Sequence, residues 1–190
     1  MQLLRESGFE FDKHKSDGIP HKLFAEYLIS SGLVLNSRNH WITFHGSVDF
    51  GYLLRILLGQ NLPNLQDTFL NHLDSFFINY YDCKEVKREI DLSGGLVKVA
   101  KELDVDRIGT MHQAGSDAYV TCGVFFKLRS KLKQLWLVDS EATIEERFNG
   151  KIYGIGDSYN DDNYIESYKH CAKKVQYIDN TGYVNLRLLQ

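Results

Sequence analysis

His112 is followed five positions later by a carboxylate in the segment Met111-His112-Gln113-Ala114-Gly115-Ser116-Asp117. A second carboxylate, Asp49, closes the run Trp41-Ile42-Thr43-Phe44-His45-Gly46-Ser47-Val48-Asp49. Carboxylates are hard oxygen ligands for divalent cations, and an imidazole can orient or deprotonate a water molecule. Together these types suit phosphodiester hydrolysis, in which several carboxylates hold two ions about 3.5–4 Å apart, one activating water and the other stabilising the leaving oxygen. Each residue also has a plainer reading. A histidine beside an apolar helix is commonly a satisfied structural group, and a carboxylate at a helix N-terminus is ordinarily a cap or dipole partner worth about 0.5–2 kcal/mol.

The elements that must position these groups follow from periodicity. Trp41–Phe44 is a β-rich run, and Phe50, Leu53, Leu54, Leu57 and Leu58 then fall at i, i+3, i+4, i+7 and i+8, so a strand delivers Asp49 to the start of an amphipathic helix. Ala114, Ala118, Thr121, Phe125 and Leu128 line one side of a long helix with Asp117 in its opening turns. Between them, Leu65, Phe69, Leu73 and Phe76 predict a helix, Phe77–Tyr81 a second strand, and Leu96, Val99, Ala100 and Leu103 another helix after the Gly94-Gly95 break. Upstream, Phe9-Glu10-Phe11-Asp12 alternates as a half-buried strand would. Phe24, Ala25, Leu28 and Ile29 predict a short helix that Gly32 stops. Alternation of strand and helix makes an α/β layer.

Composition bounds the rest. The 190 residues are 43% hydrophobic and 25% charged, which suits one globular domain with a substantial core. A formal net charge of -3 argues against a grip on nucleic acid by overall charge, so any such binding must come from a local site. Cys83, Cys122 and Cys171 are too few and too widely spaced for a disulfide framework or a closed zinc site, which suits a reducing compartment in the cytosol, the nucleus or both. No apolar run reaches the length of a membrane span. Lys127, Arg129, Lys131 and Lys133 read as cations near a helix C-terminus, where the dipole favours them. Asp157–Asp162 looks like a calcium loop only superficially, because Tyr159 and Asp162 stand where an oxygen ligand and glycine are needed. Asp82, at the end of the second strand, reads as a helix cap and stays outside the catalytic set.

The combination of motifs is more specific than its parts. His112-Gln-Ala-Gly-Ser-Asp117 resembles the His-x-Ala-x-x-Asp third motif of the ribonuclease H-like 3'-5' exonucleases that use four acidic ligands and one histidine. His45-x-x-x-Asp49-Phe-x-x-Leu53 is similar to their second motif. Ser7-Gly8-Phe9, Phe24-Ala25-Glu26, Tyr81-Asp82-x-Lys84, Gly94-Gly95-Leu96 and Arg107-Ile108-Gly109 extend the likeness, in order, to the Caf/Pop deadenylase subunits of the Ccr-Not complex. The resemblance implies a ribonuclease H-like exonuclease fold of the α/β class, N-terminally incomplete, with a partial deadenylase domain over residues 1–156 and a polar, loosely ordered tail over 157–190. It further implies a poly(A)-specific 3'-5' exoribonuclease with two Mg²⁺ or Mn²⁺ ions, Asp49 and Asp117 as metal ligands, and His112 acting on the attacking water. Implied partners are poly(A) RNA, the Ccr-Not scaffold subunit and the partner deadenylase, with no DNA and no membrane. The family's first motif, Asp-x-Glu on the opening strand, lies upstream of the segment where this chain starts. Glu10-x-Asp12 reverses the order and aligns with another part of the family, so it is no substitute. The expected consequences are weakened metal binding, a Trp41–Phe44 strand with one bare edge, and an alternative role as a non-catalytic docking subunit.

Overall fold

A computed structural model describes residues 5–136 and 143–155. These residues gather into two compact units, one drawing on 5–39 and 47–78, the other on 40–46 and 79–153.

The first unit is helical. Helix α1 spans Phe11–Asp17, α2 His21–Ser30, α3 Ser47–Leu58 and α4 Gln66–Phe76. The apolar stripe expected after Asp49 is the buried face of α3, where Phe50 and Leu54 are almost fully buried, each contributing about 1.5–3 kcal/mol. Phe50 meets Phe77 edge to face at 5.2 Å, and Phe69 and Leu73 of α4 are buried with them. Gly32, at φ +73°, ends the α2 region as expected, because glycine enters the left-handed conformation without a Cβ penalty.

The expected strand at Phe9–Asp12 does not form. Phe9 and Glu10 precede α1, which buries none of its residues, and Phe9 stacks on Phe11 and on His14 instead. Four alternating residues are too few to separate a strand from the entry to a helix, and no strand of the described sheet pairs with this segment.

The second unit holds the sheet. Strands β1 (Trp41–Thr43) and β2 (Tyr80–Asp82) run parallel with Trp41 opposite Tyr80, Ile42 opposite Tyr81 and Thr43 opposite Asp82. A parallel pair needs a long crossover, and here the intervening chain carries α3 and α4. The second strand begins three residues later than expected, because the Phe77 amide donates to Leu73 O at 2.8 Å and extends the end of α4. Among the described residues the sheet has only these two strands, plus a parallel bridge from Tyr81 to Lys151, so β1 carries no strand on its other edge.

After β2 come α5 (Cys83–Val86), a 3-10 turn (Lys87–Ile90), α6 (Leu96–Glu102), α7 (Ala114–Trp136) and α8 (Ile144–Phe148). Helix α7 runs on past the expected stripe, which stops at Leu128, and Leu128 and Leu132, one turn apart, are both fully buried. Its inner face packs with Tyr81, Val86, Val99 and Phe148 in one apolar cluster. Helix α8 opens with a capping box between Thr143 and Glu146, a Thr-x-x-Glu signature that sequence reading passed over. Of the basic residues on α7, Arg129 pairs with Glu145 at 2.9 Å and Lys133 lies in the last turn. Cys83 is buried and Cys122 exposed, both as free thiols. Burial pushes the Cys83 thiol well above the usual range. Cys171, the Asp157–Asp162 segment and the tail over 157–190 lie outside the described residues. No described helix is long and apolar enough to cross a membrane.

Candidate active site

Two turns lead into the two acidic helices. Beyond β1 the chain turns at His45, whose φ of +64° is left-handed, and at Gly46, where a Cβ would lie 2.3 Å from the Thr43 hydroxyl. Only glycine fits there. The turn is held by Asp82, the fully buried last residue of β2. Its Oδ1 accepts from the His45 amide at 2.7 Å and the Lys84 amide at 2.9 Å, and its Oδ2 accepts from Gly46 at 2.9 Å and Tyr153 at 3.2 Å. One carboxylate thus binds main-chain donors from three chain segments and caps α5. Asp49 follows in the first turn of α3, solvent-exposed, where the helix dipole favours negative charge.

The second turn differs. Gly109 (φ +87°) and His112 (φ +65°) carry the chain from Arg107 to α7, and His112 is exposed. Asp117 sits in the first turn of α7, with its amide donating to Gln113 O at 2.9 Å. Its side chain is engaged: Arg107 Nη1 donates to Asp117 Oδ1 at 2.5 Å and to Ser116 Oγ at 2.8 Å. The helix is seated by Val120, Val124 and Leu128, all buried.

His112 and Asp117 are therefore on one helix entry in the second unit, while Asp49 belongs to the first unit. Among the described residues no group of three or more His, Cys, Asp or Glu side chains is placed to hold a metal ion. The donor types suit a hard cation, and Asp117 is paired with a guanidinium. Two carboxylates and an imidazole alone do not complete a two-ion centre.

Two residues escaped the sequence reading of the site. Arg107 stood inside the recognised Arg-Ile-Gly segment, but only the fold brings it back onto Asp117. Asp82 is the cap that the sequence predicts, yet its bonds to His45, Gly46 and Tyr153 join residues 37, 36 and 71 positions away and leave no local signature.

No family model matches the chain. Over 157 residues, 82% of this chain, it is 44% identical to the probable CCR4-associated factor 1 homolog 7 of Arabidopsis thaliana and covers 54% of that protein. Over the same length it is 40% identical to the poly(A) ribonuclease pop2 of Schizosaccharomyces pombe, covering 45% of it. The chain spans about half the length of the curated relatives it matches. Among solved structures, the Mg²⁺- and Mn²⁺-bound form of S. pombe Pop2p superposes with a TM-score of 0.73 at 39% identity, over 81% of this chain and 59% of that one. The RNase domain of yeast Pop2 gives 0.67 at 30% identity, over 83% and 59% of the two chains. A chain in the structure of the yeast NOT1 MIF4G domain co-crystallised with CAF1 gives 0.63 at 26% identity, over 77% and 58%. The fold is thus the ribonuclease H-like α/β fold of the Pop2 RNase domains. Within that class the chain is similar, over 157 residues, to CCR4-associated factor 1 and Pop2 proteins.

Proposed function

We propose that this chain carries the later motifs of a poly(A)-specific 3'-5' exoribonuclease that shortens messenger RNA tails in the cytosol, the nucleus or both. The observation that carries the reading is its 40% identity over 157 residues to a poly(A) ribonuclease, along a stretch that includes both acidic helix entries. In this reading Asp49 and Asp117 are carboxylate ligands for Mg²⁺ or Mn²⁺, two ions in the complete centre, and His112 positions or activates water. Bound divalent ions would neutralise phosphate charge and favour ionisation of that water. The chain's own residues supply the mounting: an exposed imidazole on a left-handed turn, and a carboxylate held ready by Arg107. The remaining ligands come from outside the described set. By the same resemblance, the partners are poly(A) RNA, the Ccr-Not scaffold subunit and a second deadenylase.

The test is to incubate the 190-residue chain with labelled poly(A) RNA and Mg²⁺ or Mn²⁺ beside Asp117→Ala. Shortening that falls at least about a hundredfold in the variant supports catalysis, since loss of even outer-shell metal partners costs about 10–100-fold. Absence of shortening by a chain whose circular dichroism shows it folded overturns the enzymatic role for this chain and leaves the docking role.

A further inference from the structure

Three side chains that this reading leaves unused meet at the carboxyl end of the parallel strands. Lys84 Nζ lies 3.2 Å from His45 Nδ1 and 4.2 Å from the centre of the Tyr153 ring, and the His45 and Tyr153 rings contact edge to face at 5.4 Å. Asp82 builds this cluster, since the amides of His45, Lys84 and Tyr153 all donate to its carboxylate. The side chains are thus mounted on a buried anchor while His45 itself stays exposed.

The cluster has the electrostatics of an anion site. An ammonium has only donors, so in this contact His45 Nδ1 accepts from Lys84 Nζ. Neither the imidazole nor the aromatic face brings a negative charge to Lys84, which forms no ion pair among the described residues. Asp82 has both oxygens engaged by main-chain donors. Burial lowers the Lys84 ammonium below the usual lysine value, an effect that Asp82 partly offsets. A cation partly stripped of water attracts an anion more strongly than a fully solvated one. Ligands of open α/β sheets bind outside the carboxyl ends of the strands. With a chain net charge of -3, any polynucleotide must be gripped by such local cations.

We propose that Lys84 and His45, positioned by Tyr153, form a subsite for a phosphate of a single-stranded polynucleotide backbone. The choice of ligand rests on the exoribonuclease reading. Lys84 supplies charge and donors, His45 Nδ1 holds one of its N–H groups, and the Tyr153 ring holds the ammonium by a cation–π contact.

The experiment is fluorescence anisotropy of the full chain with short labelled oligo(A) and oligo(U), in EDTA to prevent cleavage, across a salt series. Lys84→Ala leaves the main-chain bond to Asp82 in place, and coincident melting curves check its fold. The expected result is binding weakened about tenfold for both sequences, as for loss of a phosphate contact. The slope of log affinity against log salt falls by about 0.7, the value for one contact to a single strand. Lys84→Arg keeps the slope. Absence of binding by the unmodified chain, or affinity and slope unchanged in Lys84→Ala, overturns the proposal. So does binding of inorganic phosphate that depends on Lys84 yet leaves the oligonucleotides bound, which would identify a site for free phosphate. Lys84-dependent binding by a chain that never shortens poly(A) would leave the subsite standing and remove the exoribonuclease reading alone.

Discussion

The two helix entries share a plan and differ in how it is secured. Each passes through a histidine in the left-handed region, at φ +64° for His45 and +65° for His112, shortly before a helix with an aspartate in its first turn. The first is fastened by Asp82, a buried carboxylate that bonds main-chain amides and takes no part in the proposed chemistry. The second is fastened by Asp117, a proposed ligand, through its ion pair with Arg107. In the first entry the structural role and the functional candidate fall on different residues. In the second they coincide, so any change at Asp117 alters both the mounting and the proposed chemistry.

The difference can be broken at its strongest point first. Asp82→Ala leaves four main-chain donors without their acceptor, and with unsatisfied buried donors costing about 1–3 kcal/mol each, some regaining water, the loss should be about 3–5 kcal/mol. Urea denaturation followed by tryptophan fluorescence measures it; a loss under about 1 kcal/mol would show that water replaces the carboxylate.

Arg107→Ala should cost less, about 1 kcal/mol, because the Arg107 and Asp117 side chains are 20% and 37% exposed and solvent screens their attraction. Raising salt to about 1 M should erase most of that contribution and leave the buried Asp82 bonds intact, so the two variants separate by the salt dependence of their stability.

A matched pair sharpens the likeness between the turns. His45→Gly and His112→Gly each relieve a left-handed non-glycine residue, and if only backbone mattered both would stabilise by about 1 kcal/mol. His45→Gly should gain less, because it also gives up the contacts with Lys84 and Tyr153. Equal gains in thermal melting would mean that those contacts add nothing to the fold.

The smallest effect concerns pH. Burial holds the Glu85 carboxyl above its ordinary range, with Arg88 working in the opposite direction. A carboxyl raised in the folded state binds more protons there, so stability declines as pH rises from the ordinary glutamate range through the raised folded value and then levels off. Glu85→Gln should flatten that decline, which a pH series of urea midpoints reads directly.

How much of this was legible beforehand depends on the range of each interaction. The stripe from Phe50 to Leu58 and the glycine stop at Gly32 are local, and they predict α3 and the end of α2 without reference to the rest of the chain. The segment from Phe9 to Asp12 misleads because a strand exists only with a partner, and the pairing of β1 with β2 is decided elsewhere. The extension of α7 to Trp136 turns on Leu132, whose burial against the cluster is a tertiary fact. The site residues were legible as a pattern of residue types, and their placement was not. Arg107 reaches Asp117 across ten positions that include two left-handed residues, Gly109 and His112, and no periodicity encodes that closure.

The bond from Tyr153 to Asp82 also sets an order of events. It joins residues 71 positions apart, and His45 is joined to the same carboxylate across 37, so both loops must close before the first turn is fully fastened. Contacts of such long range form slowly relative to helices. During synthesis, α3 and its aspartate leave the ribosome well before residue 153 exists, and the turn that presents them stays incompletely clasped over that interval. A nascent chain halted short of Tyr153 would hold the acidic helix without its finished hinge.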